Sequence, residues 1–238
     1  MSSQKVIPGE KAYGSIAHLP GSGMEHSDKK LEHGQVAILT SKPRDSKDTI
    51  VVQEKLDGSC VAVYKQNGII IPATRAGYPA NSSPYKQHHM FSLWVYDNID
   101  RFEGLLKEGE RVVGEWMAQA HGTIYHLPHE PFVVFDLFIN KERIPYLELL
   151  HRGMHYDFIT PKLISYGQPI GIDVVMKKVK VSGHGAINPV EGAVWRCERD
   201  GKVDFLGKFV RPDKVNGKYL PEINPEYKEP IWNTYPRV

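Results

Sequence analysis

Cysteine is scarce in this chain. Cys60 and Cys197 are the two among 238 residues, too few for a disulfide framework and in no metal-binding spacing. They read as buried thiols of a reducing compartment. No apolar run approaches bilayer-spanning length, and the opening MSSQKVIPGEK has no apolar signal core. These absences predict a cytoplasmic protein with no membrane association. Excess charge is missing too: 30 basic residues against 28 acidic give +2 at pH 7. That excludes a protein held on nucleic acid by bulk charge, while a local basic groove stays compatible with it. The 11 histidines are scattered without an HExxH pair, and His88, His89, His121 and His126 offer no convincing ligand set.

The remaining composition, 41% hydrophobic and 24% charged, is that of an ordinary soluble domain. Residues 1–34, rich in Gly, Pro, Ser and His, read as an irregular lead-in packed on the domain. Residues 35–212 read as the domain itself, and 213–238 as an extended proline-rich tail. Strands are expected at Val36–Leu39, Ile50–Glu54, Cys60–Lys65, Ile69–Thr74, Arg111–Met117 and Phe132–Ile139, with Asn67-Gly68 as a tight turn. Gly192–Cys197 and Val203–Val210 pair as a hairpin across Arg199-Asp200-Gly201. Pro79–Pro84 reads as a loop. Helical spacing runs from Phe91 through Trp94, Val95, Ile99 and Phe102 to Leu106, then recurs at Leu147, Leu150 and Met154 and at Ile172, Val175 and Val179. The fold class is α+β, a single domain built mainly on antiparallel strands.

Several polar residues interrupt these strands. The stretch EKLDGS (Glu54 to Ser59) lies between IVV and VAVY and reads as a hairpin turn at Asp57-Gly58, or as a lysine held at the edge of a pocket. Glu115 follows Gly114, Asp136 sits inside FVVFDLF, Glu191 opens EGAVW and Lys208 lies in FLGKFV. Each alone fits the solvent side of a strand. Together with Lys55 they can face one cleft, where burial or a neighbouring cation lowers a lysine's pKa and makes it a nucleophile.

Taken in order, Lys-x-Asp-Gly, Gly-Glu, Phe-Asp, Glu-Gly-x-Val and a last strand with lysine resemble the covalent nucleotidyltransferase superfamily of RNA ligases, DNA ligases and mRNA capping enzymes. GEWMAQAHGTIYHLP ahead of FVVFDLF, and HLPGS (His18 to Ser22) ahead of the lysine motif, resemble its ATP-dependent RNA ligase branch. The resemblance implies an antiparallel-sheet nucleotidyltransferase domain, the ATP-grasp-like adenylation domain of ligases. It implies ATP and Mg2+ (or Mn2+) as cofactors and RNA ends as partners.

Carried over by position, Lys55 is the lysine that takes AMP from ATP, and Glu54 lies near the adenine edge. Asp57 and Gly58 complete the motif, although a plain turn would also call for Gly58. Arg75 contacts phosphate or ribose, and Glu115 binds ribose hydroxyls. Phe135 stacks on adenine, though position alone does not separate it from a core phenylalanine or from Phe132. Glu191, with Glu115, binds the divalent metal, and Lys208 contacts the α-phosphate. Relatives place a second lysine two residues on. Here that position is Val210, which leaves Arg211 as the candidate for that charge. His121 and Tyr125 either line the substrate side or pack beside Trp116.

The implied reaction joins 5′-phosphate and 3′-hydroxyl RNA ends through a lysyl-AMP and an adenylylated RNA. The stretch after Lys208 has no room for the further domains of DNA ligases, capping enzymes and many RNA ligases, so a partner protein supplying such a domain is expected. Lys177, Lys178, Lys180, Arg211, Lys214 and Lys218 are candidate RNA contacts or an ordinary solvated face. A minimal DNA ligase, a guanylyltransferase-like enzyme and a catalytically inactive nucleotide- or RNA-binding module remain the alternatives.

Overall fold

The computed structural model describes residues 4–234. The ends of the lead-in and of the tail lie outside the described residues. Two hairpins start the two sheets. Between β3 (Ser59–Gln66) and β4 (Ile69–Thr74), Asn67 and Gly68 take φ of 53° and 72°, the paired positive values that a two-residue hairpin requires. Asp200 and Gly201, at 50° and 73°, do the same between β9 (Gly192–Arg199) and β10 (Lys202–Val210).

The first hairpin is extended by β5 (Glu110–Trp116), β6 (Phe132–Ile139) and β7 (Glu142–Arg143), in the order β4-β3-β5-β6-β7. The second sheet has the order β1-β10-β9-β2-β8, with β1 (Ala17–His18), β2 (Asp48–Lys55) and β8 (Leu163–Gly167). All pairings are antiparallel except β1 on β10. The expected α+β, antiparallel architecture is therefore what the chain adopts.

Each sheet has its own core. Helices α2 (Lys86–Asp97), α3 (Ile99–Leu105) and α4 (Tyr146–His155) cover the first sheet, where Phe91, Phe102, Trp116 and Phe132 are fully buried. Each such phenylalanine contributes about 1.5–3 kcal/mol. The opposite face of that sheet buries Ala62, Tyr64, Val113 and Phe138 with Tyr13 of the lead-in. Both faces are thus covered, which is why β3 reads as nearly continuous apolar sequence. Helices α1 (His33–Thr40) and α5 (Ile172–Lys178) pack on the second sheet around Leu39, Val175 and Trp195.

Several expectations are corrected. Val36–Leu39 is the core of helix α1, not a strand. The Glu32 N–H donates to Gln35 Oε1 at 3.2 Å and starts the helix, and four consecutive apolar residues carry no period that distinguishes the two forms. The boundary drawn after residue 34 falls inside this helix. One helical pattern divides into α2 and α3 at Asn98, whose side chain donates to Trp94 O. Helix α4 exists, but it buries Tyr146 and Leu149 and exposes Leu147 and Met154. Strand β8 was not anticipated. The tail is a series of turns, with Leu220 N–H bonded to Gly217 O and Ile223 N–H to Leu220 O, rather than an extended segment. It packs back on the first sheet's core through Trp232. No helix among the described residues is long and apolar enough to cross a membrane.

The two sheets are tied by an ion pair. Asp136 on β6 is fully buried and accepts hydrogen bonds from Arg196 on β9, Arg143 on β7 and the Tyr13 hydroxyl. Asp136→Asn removes the main counter-charge of the buried Arg196, which keeps only the longer 3.9 Å contact to Glu198, and of the partly exposed Arg143. It is expected to cost roughly 3–5 kcal/mol in a urea unfolding curve. A loss below about 1 kcal/mol would remove this pair from the account of how the sheets are joined.

Candidate functional site

Strand β2 pairs with β9, whereas β3 pairs with β4 and β5, so Leu56, Asp57 and Gly58 do not form a hairpin turn. They carry the chain from one sheet to the other. The crossing is tight: a Cβ at Gly58 would lie 2.5 Å from Trp116 O and 3.3 Å from Glu115 Cγ, so only glycine fits against β5 there. Lys55, the last residue of β2, is thereby fixed at the junction.

A cleft of about 760 Å3 opens at this junction. Lys55, Asp57, Gly58, Arg75, Glu115, Phe135, Glu191 and Lys208 all line it, drawn from both sheets. Phe135 owes its direction to a β-bulge. Val113 pairs with Asp136 and Gly114 with Val134, which leaves Phe135 unpaired and re-aimed. Its ring meets Tyr13 edge-on, with centroids 5.2 Å apart. Phe132 is instead fully buried among Phe91, Trp94 and Trp116.

Charges in the cleft are arranged in pairs. Lys55 Nζ donates to Glu191 Oε2 at 2.6 Å, and Lys214 Nζ donates to Glu191 Oε1 at 2.5 Å and to Asp57 Oδ1 at 2.9 Å. The Gly122 N–H donates to Asp57 Oδ2, the Asp57 N–H to the Tyr125 hydroxyl, and the Gly58 N–H to Glu115 Oε1 at 2.9 Å. Lys208 has no ion-pair partner among the described residues. Its strand is held by a chain in which His18 Nδ1 meets Ser22 Oγ at 2.6 Å and Val210 N–H donates to that same Oγ.

These contacts reverse one expectation. Burial alone would depress the Lys55 ammonium, but Glu191, Glu115 and Asp57 outweigh it and push Lys55 up to about 12. The depressed lysine is Lys208, through burial and the charge of Lys55. Burial raises Glu115 to about 7, with Glu191 adding to the effect against Lys55. For Asp57, Lys214 overcomes burial and holds the carboxyl below its ordinary value.

Two candidates are otherwise engaged. Glu54 lines the cleft, but its carboxylate accepts hydrogen bonds from the Ser182 hydroxyl at 2.6 Å and the Gly183 N–H at 2.8 Å, so that side chain is committed to the 182–183 loop. Arg211 donates to the carbonyls of Val190 and Pro189 and pairs with Asp213, and it does not line the cleft. Lys214, read as an RNA contact or a solvated charge, is the cation that reaches the acidic residues, with its side chain 5% exposed. Tyr125, expected on the substrate side or beside Trp116, and Gly122 and Tyr13, not singled out, act as supports. The HGTIY segment offered a sequence signal for the first two, but nothing marked Lys214.

The family model described as RNA ligase matches residues 48–210. An archaeal ATP-dependent RNA ligase superposes with a TM-score of 0.50 at 16% identity, over 83% of this chain and 48% of that one. A variant RNA ligase of Naegleria gruberi, solved with AMP and Mn, gives 0.54 at 13% identity, over 88% and 59%. The Naegleria gruberi enzyme with PPi gives 0.51 at 15%, over 76% and 53%. This chain therefore spans about half the length of these proteins. A stretch of 144 residues is 24% identical to leucine--tRNA ligase of Desulfotalea psychrophila, over 60% of this chain and 13% of that one.

Glu115 makes the site pH-sensitive. Its value rises on folding from 4.5 to about 7, so between these limits the folded state binds more protons than the unfolded chain. Stability contributed by this group is therefore lost as pH rises through that window. In urea unfolding at pH 5, 6, 7 and 8, the stability of the parent relative to Glu115→Gln is expected to fall as pH rises, while the buried His88 and His184, both pushed down to about 4, contribute the opposite slope equally to each. An unchanged slope in the variant would show that Glu115 does not titrate there.

Proposed function

This chain belongs to the RNA ligase family, and from that premise we propose that it is an ATP-dependent RNA ligase, with Lys55 as its nucleophile. The observation that carries the reading is the convergence of Lys55, Lys208, Glu115, Glu191 and Phe135 on one cleft between two sheets. The Lys55 amine attacks the α-phosphorus of ATP. A P–N bond forms, the bond to the bridging oxygen breaks, and pyrophosphate leaves. A 5′-phosphate oxygen of RNA then takes the AMP, breaking the P–N bond. Finally a 3′-hydroxyl displaces AMP and makes the phosphodiester. The AMP and PPi of the Naegleria gruberi structures correspond to the transferred group and the leaving group of the first step.

The side chains divide this work. Phe135 offers a flat face to adenine beside Tyr13, and Glu115 stands where ribose hydroxyls bind. Arg75 and the unpaired Lys208 face the phosphates, where Lys208 offsets developing charge. Lys55 must lose its proton before attack, and its 2.6 Å ion pair with Glu191 Oε2 holds that proton in place until the nucleotide rearranges the charges around it. Among the described residues no three His, Cys, Asp or Glu side chains form a protein-only metal nest. Glu191 and Glu115 are the carboxylates that would hold a divalent cation in the cleft. Mg2+ or Mn2+ bound there supplies neutralisation of triphosphate charge.

Incubation with α-labelled ATP and Mg2+, followed by a denaturing gel, tests this reading. The parent is expected to carry label. Lys55→Ala and Lys55→Arg are expected to carry none, the latter because a guanidinium stays protonated. Label retained in Lys55→Ala would sink the assignment. Supplying RNA and DNA ends in parallel then separates an RNA ligase from a DNA-joining relative.

A second measurement addresses the stacking role. Phe135→Leu is expected to weaken ATP binding by about 0.5–1.5 kcal/mol with little change in thermal stability. A lower Tm at unchanged ATP affinity would assign Phe135 to the core instead.

A further inference from the structure

Lys214 lies outside the segment that the family match covers, on the turn that follows β10. Its side chain reaches back to two acidic residues, Asp57 at 2.9 Å and Glu191 at 2.5 Å. The first stands two positions beyond Lys55, and the second is the ion-pair partner of Lys55. All three side chains in this bridge are nearly buried. A lysine on a surface turn gains nothing from such a position unless its charge is required, because burying an ammonium costs free energy that paired carboxylates must offset.

The tail is built to deliver it. Tyr219 N–H donates to His121 O at 2.7 Å, Ala120 N–H donates to Ile231 O, and the Asn233 side chain bonds Tyr125 N–H and Met117 O. The tail thus lies along residues 117–125, the segment whose Gly122 and Tyr125 also hold Asp57. At Gly122 the packing leaves no room: a Cβ would lie 2.7 Å from Val215 O, 2.8 Å from Asp57 Oδ2 and 3.1 Å from Lys214 Cε.

We infer that Lys214 is a positioning residue, which fixes Glu191 and Asp57 from behind the cleft so that Lys55 is presented to the nucleotide. The inference rests on the proposed role of Lys55 as nucleophile. Lys214 does not line the cleft, so it acts through the two carboxylates and not by touching the nucleotide. Without it, Glu191 loses one of its two anchors and Asp57 loses its side-chain counter-ion. The Lys55 amine is then misplaced while the adenine and ribose contacts stay intact. A tether on an attacking group affects the chemical step more than binding, because small displacements of reacting atoms cost large factors in rate.

The test uses the full chain with Lys214→Met, Lys214→Arg, Glu191→Gln and the Lys214→Met/Glu191→Gln double variant. Thermal unfolding, equilibrium ATP affinity and the single-turnover rate of label transfer from α-labelled ATP to protein are measured for each. Lys214→Met is expected to keep ATP affinity within about threefold of the parent. Its label-transfer rate is expected to fall about ten- to a hundredfold. Lys214→Arg restores most of that rate, and the double variant is barely slower than Glu191→Gln alone, since both changes break one linkage. The inference is overturned if Lys214→Met labels at the parent's rate, if its loss lies wholly in ATP affinity, or if the two losses simply multiply in the double variant. Should Lys214→Met fail to fold, Lys214→Gln, which retains polar contact without the charge, is read by the same criteria. A parent that takes no label at all refutes the proposed function itself, an outcome distinct from a labelled parent with an indifferent Lys214 variant.

Discussion

Glu191 gives one carboxylate oxygen to Lys55 and the other to Lys214, and these two contacts join the end of β2, the start of β9 and the tail at a single point. The carboxylate is nearly buried, so each ammonium serves partly to make its burial tolerable. The three-residue crossing from Lys55 to Ser59 depends on the same point. Asp57 is held by Lys214 on one side and Gly122 on the other, and Gly58 is pressed against Trp116 with its N–H on Glu115. The cleft is therefore less a gap between two finished sheets than a by-product of the place where they are stitched.

That stitching explains what the sequence could and could not reveal. Strands β2 to β6 and the β9–β10 hairpin were legible because alternation and Asn-Gly or Asp-Gly turns are local signals. Asp57-Gly58 gave the same local signal and meant something else. A turn dipeptide between apolar runs does not specify whether the runs pair with each other, and here they join different sheets. Helix α1 was misread because Val-Ala-Ile-Leu fits either period, and its deciding contact, Glu32 to Gln35, precedes the apolar run. In α4 the helix was legible but its buried face was not, since Leu147 and Met154 carry the period on the exposed side.

The candidate site divides along the same line. Lys55, Glu115, Glu191 and Lys208 were visible as charges out of place in strands. Asp136 looked identical to them by that criterion, yet its carboxylate is held by two arginines and a tyrosine as a structural pair. Nothing in the FVVFDLF pattern separates a buried counter-ion from a ligand-facing acid, because the distinction lies in Arg196, 60 positions away. Lys214 is the opposite case. It stands in a turn among other charged residues, and its partner Asp57 is 157 positions distant, so the local pattern suggests solvent and the tertiary fold overrides it.

The division between paired and unpaired cations gives the site an order of events. Lys55 and Lys214 are compensated by Glu191 and Asp57, whereas among the described residues Lys208 has no carboxylate partner and the Arg75 side chain donates to Gly14 O and Ser15 Oγ alone. In the proposed reaction, incoming phosphates therefore meet Lys208 and Arg75 first, since neither must break an ion pair to receive them. In that reaction Lys55, whose ammonium is favoured by Glu191, Glu115 and Asp57, becomes a nucleophile once the nucleotide and its counter-ion draw those carboxylates away. A lysine with a depressed pKa would be reactive toward other electrophiles at all times. One restrained by its own carboxylate becomes reactive when the nucleotide and its counter-ion rearrange the charges around it. The near-zero net charge of the whole chain conceals this arrangement, because the balance that matters is struck among six residues around one crossing.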